Sequence, residues 1–308
     1  MTAWTSRSLG SRLQHEIFYA LISFGGVRMA YALLFWVLLW YMFKPEAMRR
    51  NAPYLGRRFP QAGFAMRLVH RWRRQWEFGK ALVDRAAAGI RGGHHNKMRR
   101  EDIDALAGIH GEGKGIILLT AHVGNWQLSI AGLPRLVPAP INFVLYRGLG
   151  DLARHYFEHN NETPAFNFID PAGGPESALA MAQTLFKGGT LGMMGDRPFG
   201  HTQNCHVPFF GETISLPYTP YYLASVTGAP IVITFSYRYG IMKVSNLIVS
   251  ILRVPANLGK NPAAYEPYAR HFVDMLEESA RKHPYHFFNF YNMWDNNGHQ
   301  EQTQSRVN

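Results

Sequence analysis

Short apolar runs recur along the last two thirds of this chain, each of a length that suits a buried strand. They are Gly115–Thr120 (GIILLT), Ile141–Tyr146 (INFVLY), Phe166–Ile169, Leu191–Met194, Ile231–Tyr237 (IVITFSY) and Met242–Leu252. Such runs, bounded by glycine and proline, read as strands buried on both faces. Helical stretches fall between them: Asn125–Leu133 stopped by Pro134, Asp151–Asn160, Pro175–Lys187 closed by Gly188-Gly189, Tyr221–Thr227, and Ala263–His283 ahead of Pro284. Proline near a helix start and glycine after its end is the expected punctuation. Strands alternating with helices predict an α/β fold with a mixed, largely parallel sheet flanked by helices. The last two strands are expected to form a hairpin around Tyr239-Gly240.

Open sheets of this kind gather ligands at the carboxyl ends of their strands. His122, Arg147 and Asp196 each follow an apolar run by one to three residues. An imidazole titrates near neutrality and can serve as general base, taking the proton from a hydroxyl or amine that is otherwise a weak nucleophile. A histidine at a strand end is more often structural, so the case for His122 rests on its surroundings.

The net charge of +11 is concentrated at one end of the chain. Residues 1–100 hold 18 Lys/Arg against 4 Asp/Glu, a balance of +14; residues 101–308 hold 14 against 17, a balance of −3. The same N-terminal third contains fifteen residues without a charge, Met29–Phe43, flanked by Arg28 and Lys44. A spanning helix needs roughly 20 apolar residues. Ile17–Phe43 reaches that length if the side chain of Arg28 snorkels. Trp36, Trp40 and Tyr41 suit a membrane interface. Phe64–Arg85 mixes Phe64, Met66, Leu68, Val69, Trp72, Trp76 and Phe78 with arginines, as does an amphipathic helix on an anionic leaflet. Positive charge after the apolar run places the body on the cytoplasmic side. The run lies too deep for a signal peptide. Without a recognition motif beside the charge, nucleic acid is not an expected partner. A buried core helix followed by a solvated basic helix is the competing reading.

The text around His122, Thr120-Ala121-His122-Val123-Gly124-Asn125-Trp126-Gln127, resembles the lysophospholipid acyltransferase superfamily in its lipid A late acyltransferase branch, whose members carry HxGNWE-like motifs. Further blocks resemble the family in order: Phe143-Val144-Leu145-Tyr146-Arg147, Met193-Met194-Gly195-Asp196-Arg197, Val207-Pro208-Phe209-Phe210-Gly211, Thr227-Gly228-Ala229-Pro230-Ile231, then His283-Pro284 with Asn289-Phe290-Tyr291 and Trp294. The likeness covers roughly residues 10–295. The segment Trp4–Tyr19 is similar to relatives in aryl polyene pathways. The resemblance implies an enzyme of the cytoplasmic face of the inner membrane. Its donor would be an acyl thioester, on acyl carrier protein or CoA, and its acceptor a hydroxyl or amine of a membrane lipid. His122 would be the base. No metal or bound cofactor is implied.

At Gln127 the sequence departs from the family, which places Asp or Glu there. A carboxylate holds the imidazole in the right tautomer and stabilises the imidazolium; an amide accepts a hydrogen bond but carries no charge. In the serine-protease triad, amide for carboxylate lowers turnover about 10⁴-fold. Gln127 is expected to face His122 all the same. Another acid could substitute, Asp196 or Glu158; the chain could tolerate weaker activation; or the glutamine could be an introduced change.

Arg147 and Arg197 are candidates for binding phosphate or carboxylate, with surface salt bridges as the plainer reading. Asp196 and Gly195 sit beside them, Asp196 as substrate-orienting group or as a cap. Asn125 and Trp126 are candidate substrate contacts that also shape the turn, Asn125 by capping and Trp126 by packing. His201 and His206 flank Cys205, but two histidines and a lone cysteine make a poor metal site. The single cysteine precludes a disulfide within the chain. The expected organisation is a hydrophobic anchor at 1–45, a basic amphipathic region at 46–105, the α/β acyltransferase domain at 106–296 and a polar tail at 297–308. Besides acyl transfer, a non-catalytic scaffold for acyl chains or carrier protein and a thioesterase of the same fold remain open.

Overall fold

The computed structural model describes residues 12–133, 137, 140–145, 166–198 and 203–294. Three helices come first: α1 (Arg12–Tyr41), α2 (Pro45–Arg58) and α3 (Phe64–Arg91). A seven-stranded sheet follows, in the order β1 (His95–Met98), β9 (Lys243–Leu252), β8 (Ile231–Gly240), β2 (Ile116–Thr120), β5 (Thr190–Met194), β3 (Ile141–Val144), β4 (Phe166–Ile169). Every neighbouring pair is parallel except β8 and β9. This is the mixed, largely parallel α/β architecture expected from the apolar runs.

Helices cover both faces because the central strands are apolar on both. Ile116, Ile117, Leu118 and Leu119 of β2 are all buried. Leu118 and Ile116 face α4 (Arg100–Gly111) and α5 (Trp126–Gly132), packing with Leu106, Ile109 and Ile130. Ile117 and Leu119 face α6 (Gly174–Phe186), α7 (Thr219–Thr227) and α8 (Glu266–Lys282). On α8, Ala269, Phe272, Val273, Leu276 and Ala280 form one apolar stripe, every residue of it at most 1% exposed. Each large member of that stripe contributes roughly 1.5–3 kcal/mol through burial. A short antiparallel hairpin, β6 (Asn204–Phe209) with β7 (Glu212–Pro217), closes the α8 side.

Adjacent β2 and β5 hand the chain on in opposite directions. β2 leads through α5 to β3, beyond β5, whereas β5 leads through the hairpin and α7 to β8, on the other side of β2. Such a reversal opens a crevice at the carboxyl ends of the two strands.

The hairpin β6/β7, β1 and α4 were not anticipated. Val207-Pro208-Phe209 and Thr213–Leu216 carry an alternating pattern too short to stand out. His95, in a glycine- and arginine-rich stretch that suggests a solvated linker, opens β1, whose partner β9 lies almost 150 residues away (His95 pairs with Lys243). β1 thus joins the main sheet from within the stretch 46–105 expected to precede it.

Candidate active site

Thr120 and Met194 are register partners at the ends of parallel β2 and β5. Two residues beyond each lie His122 and Asp196, and the shared register brings them together. The backbone follows suit, Gly195 N–H donating to Thr120 O at 2.7 Å. His122 Nδ1 lies 2.9 Å from Asp196 Oδ1 and 3.0 Å from Oδ2, and the His122 backbone N–H reaches Oδ2 at 3.2 Å. Asp196 is fully buried, whereas the His122 side chain keeps 18% of its surface exposed.

The turn after His122 depends on Gly124. Its φ is +60°, and a Cβ there would stand 1.8 Å from the carbonyl oxygen of Ser236 on β8. The close approach lets Asn125 N–H donate to Ser236 O at 3.0 Å. Asn125 then caps α5, its side chain accepting from Leu128 N–H.

A C-terminal strap, residues 286–291, runs past the same turn. Gly124 N–H donates to His286 O (2.7 Å), and Phe288 N–H donates to His122 O (2.6 Å). Asn289 Nδ2 reaches Asp196 O at 3.4 Å and Oδ2 at 3.5 Å, and Tyr291 Oη donates to Asp196 O at 3.3 Å. The strap is itself held by Arg74 of α3, which is fully buried and donates to Phe287 O (2.9 Å), Asn289 O (2.6 Å) and Asn51 Oδ1 (2.9 Å).

Electrostatics define the protonation of the pair. Burial pushes the His122 imidazole below its ordinary value, and the charge of Arg197 pushes the same way, against the pull of Asp196. Burial alone would raise the Asp196 carboxyl, but the His122 ring, its hydrogen bonds and Arg197 together hold it below the usual carboxylate range. At neutral pH this is a carboxylate beside a neutral imidazole. A carboxylate only accepts, so Nδ1 carries the proton. Nε2 then presents a lone pair and has no hydrogen-bond partner among the described residues.

The sequence model of the bacterial lipid A biosynthesis acyltransferase family matches residues 55–296. The chain belongs to that family. It is thereby placed in the lysophospholipid acyltransferase superfamily, with an acyltransferase-type reaction. No individually curated protein gives a significant match.

In this acyltransferase Gln127 is turned to other work than facing His122. Its Oε1 accepts from Arg85 Nη1 of α3 at 2.8 Å, and no hydrogen bond joins it to His122 among the described residues. The first turn of α5 points residue 127 toward α3, while the strand register delivers a different carboxylate to the imidazole. Trp126 is buried and meets the His122 ring edge-on, centroids 5.5 Å apart. Arg197 stands beside the pair, its guanidinium 5.6 Å from the Tyr291 ring centre. Gly195 is buried, and a Cβ there would come within 2.9 Å of Leu119 and Phe272, so its smallness serves the packing of β5 against β2 and α8. Arg147, Glu158, His201 and the helical stretch Asp151–Asn160 lie outside the described residues. His206 pairs with Ser215 Oγ (3.2 Å), and Cys205 is fully buried.

An apolar cavity lies on the α5 face of the sheet, bounded by Trp126, Ile130, Leu118, Phe143, Gly192 and Met194. Trp126 is a wall common to it and to the His122 site.

Sequence reasoning missed three supports of this site: Arg74, Arg85 and the strap's grip on Asp196. Asn289 and Tyr291 were visible as motif residues without a role. Arg74 resembled the other arginines of α3, and nothing local distinguishes a buried arginine from a solvated one.

Proposed function

We propose that this protein transfers a fatty acyl group from a thioester, on acyl carrier protein or on CoA, to a hydroxyl or amine of a membrane lipid. The reading is carried by one observation: His122 Nδ1 lies 2.9 Å from the fully buried carboxylate of Asp196 at the carboxyl ends of β2 and β5. Nε2 removes the proton of the acceptor as its oxygen or nitrogen attacks the thioester carbonyl. Asp196 stabilises the imidazolium that forms. The tetrahedral intermediate collapses with cleavage of the C–S bond, and the imidazolium returns its proton to the departing sulfur. Arg197, a cation next to the pair, suits the developing oxyanion or a substrate phosphate. The cavity behind Trp126 suits an apolar chain. Acyl carrier protein is the donor partner that the family resemblance implies, and the basic N-terminal third favours the cytoplasmic face of the inner membrane.

The scaffold reading drew its force from Gln127, and Asp196 supplies the carboxylate that Gln127 lacks. The test is an assay with acyl-labelled carrier protein and total lipid extract. Label is expected to move to lipid and to stay on the carrier with His122→Ala. Full transfer by His122→Ala would refute the mechanism; release of free fatty acid alone would make the protein a thioesterase.

A further inference from the structure

The apolar N-terminal helix α1 is long enough by composition to cross a membrane, with a candidate span at His15–Tyr41. Its shape and its contacts argue otherwise. Gly26, at φ +77°, breaks the helix into two pieces. The second piece, 27–41, has fifteen residues. At about 1.5 Å per residue that is roughly 22 Å, against a hydrocarbon core of about 30 Å.

Both pieces of α1 run along α3, antiparallel to it: Arg91 Nη1 donates to Ile22 O of the first piece at 3.0 Å, and in the second piece Phe35 meets Trp72 with centroids 5.8 Å apart. Between them Leu34 packs so closely on Gly79 that a Cβ at 79 would be 2.7 Å from it. Ile22, Val27, Ala30, Leu34 and Leu38 make the buried face. α3 in turn is bolted to the α/β body. Arg238 of β8 donates to Asp84 Oδ2 at 2.8 Å and to Tyr31 Oη at 2.9 Å, and Tyr31 donates to Asp84. Buried Arg74 and the Arg85–Gln127 bond complete the attachment. An upright α1 would have to carry α3 and its arginines into hydrocarbon or break the Tyr31–Asp84–Arg238 cluster.

The face of α1 turned away from α3 is equally apolar. Met29 and Trp36, and Phe43 in the turn just past the helix end, are spaced by seven residues and are 53%, 68% and 80% exposed, and Trp40 between the last two is 55% exposed. Phe24 is 93% exposed, and Phe64, at the start of α3, is 80% exposed. Cations edge this face: Arg28, Lys44, Arg67 and Arg73 are exposed, and Lys44 Nζ sits 3.9 Å over the Trp40 ring. An apolar aromatic face edged with cations is the form of an interfacial helix on an anionic leaflet.

We infer that α1 does not cross the membrane: it lies in the plane of one leaflet with Phe24, Met29, Trp36, Trp40 and Phe43 in the lipid, and both its ends stay on one side. The choice of lipid as the partner rests on the acyl-transfer reading above. Seated this way, the α/β body is held against the leaflet that supplies a lipid acceptor.

The variants Ser8→Cys and Met48→Cys of the full chain each add one cysteine beyond an end of the helix. Native Cys205 is buried, its thiol pushed up to about 12 by burial, and stays silent. Right-side-out and inverted bacterial inner-membrane vesicles are treated with a membrane-impermeant maleimide, with detergent-solubilised membranes as the total. Both positions are expected to react from the same face. Reaction from opposite faces overturns the inference. So does recovery of the unaltered protein in the soluble fraction, which would point to a second copy of the chain covering the face. The variant Phe24→Asp/Trp36→Asp/Phe43→Asp should move at least tenfold more protein from pellet to supernatant with its thermal unfolding unchanged; retention in the pellet counts against the inference. None of these readouts depends on acyl transfer, so a failed enzymatic assay leaves them intact.

Discussion

Asp196, not the residue five positions after His122, orients the imidazole: its Oδ1 lies 2.9 Å from His122 Nδ1 because β2 and β5 pair in parallel with Thr120 opposite Met194. Replacing Asp196 by Asn keeps the volume and one acceptor but removes the charge and permits the wrong tautomer. Turnover in the carrier-protein assay is expected to fall about 10⁴-fold, as in the protease triad. A loss of less than tenfold with unaltered folding would mean that the pair is structural.

Gln127→Glu bears on the same question from the other side. A glutamate at 127 would meet Arg85 and be neutralised there, without reaching His122. The expected rate is within about threefold of the original, since a partly exposed ion pair of this kind is worth roughly 0–1 kcal/mol. A gain of a hundredfold would restore position 127 as the missing acid.

The pH dependence of kcat/KM follows from the depressed His122. Its base form persists below the ordinary histidine value, because burial and Arg197 disfavour the imidazolium. The acid limb of the profile is therefore expected below pH 6.5. Arg197→Met removes a repelling charge and should move that limb to higher pH. A limb that shifts downward, or stays fixed, would separate Arg197 from the electrostatics of the pair.

Stability should also be pH-dependent through His286, whose imidazole is lowered to about 4, chiefly by burial. Between that value and about 6.5 the unfolded chain binds a proton that the native protein does not, so stability falls as the pH drops through this window. At about 1.4 kcal/mol per unit the loss is up to about 3 kcal/mol. Denaturant titrations at pH 7 and pH 4.5 measure it, and His286→Asn should remove much of the difference.

Arg74→Ala leaves the carbonyls of Phe287 and Asn289 without their donor in a buried place. A destabilisation of about 3 kcal/mol is expected. Arg74→Ala should also loosen the strap on Asp196, lowering kcat more than it changes KM. An unchanged Tm would show that α3 does not hold the strap.

The sheet, the two strand-end residues and the apolar character of α1 were legible in the sequence, for local reasons. Gly115–Thr120 and Leu191–Met194 can satisfy their backbone and bury both faces only as inner strands, and a residue just past such a strand must stand at the sheet's edge. The family match at residues 55–296 has the same origin, in local text kept in order. The partner of His122 was legible only as one of several choices, Asp196 standing beside Gln127 and Glu158. Counting five residues along the chain pointed to Gln127, while the pairing that matters spans 74 residues and is set by register. Whether an arginine is buried like Arg74 or solvated, and whether the apolar helix stands away from α3 or lies along it, depends on surfaces contributed from elsewhere in the chain. Local patterns determine what each segment can bury; only tertiary packing decides which distant group it meets.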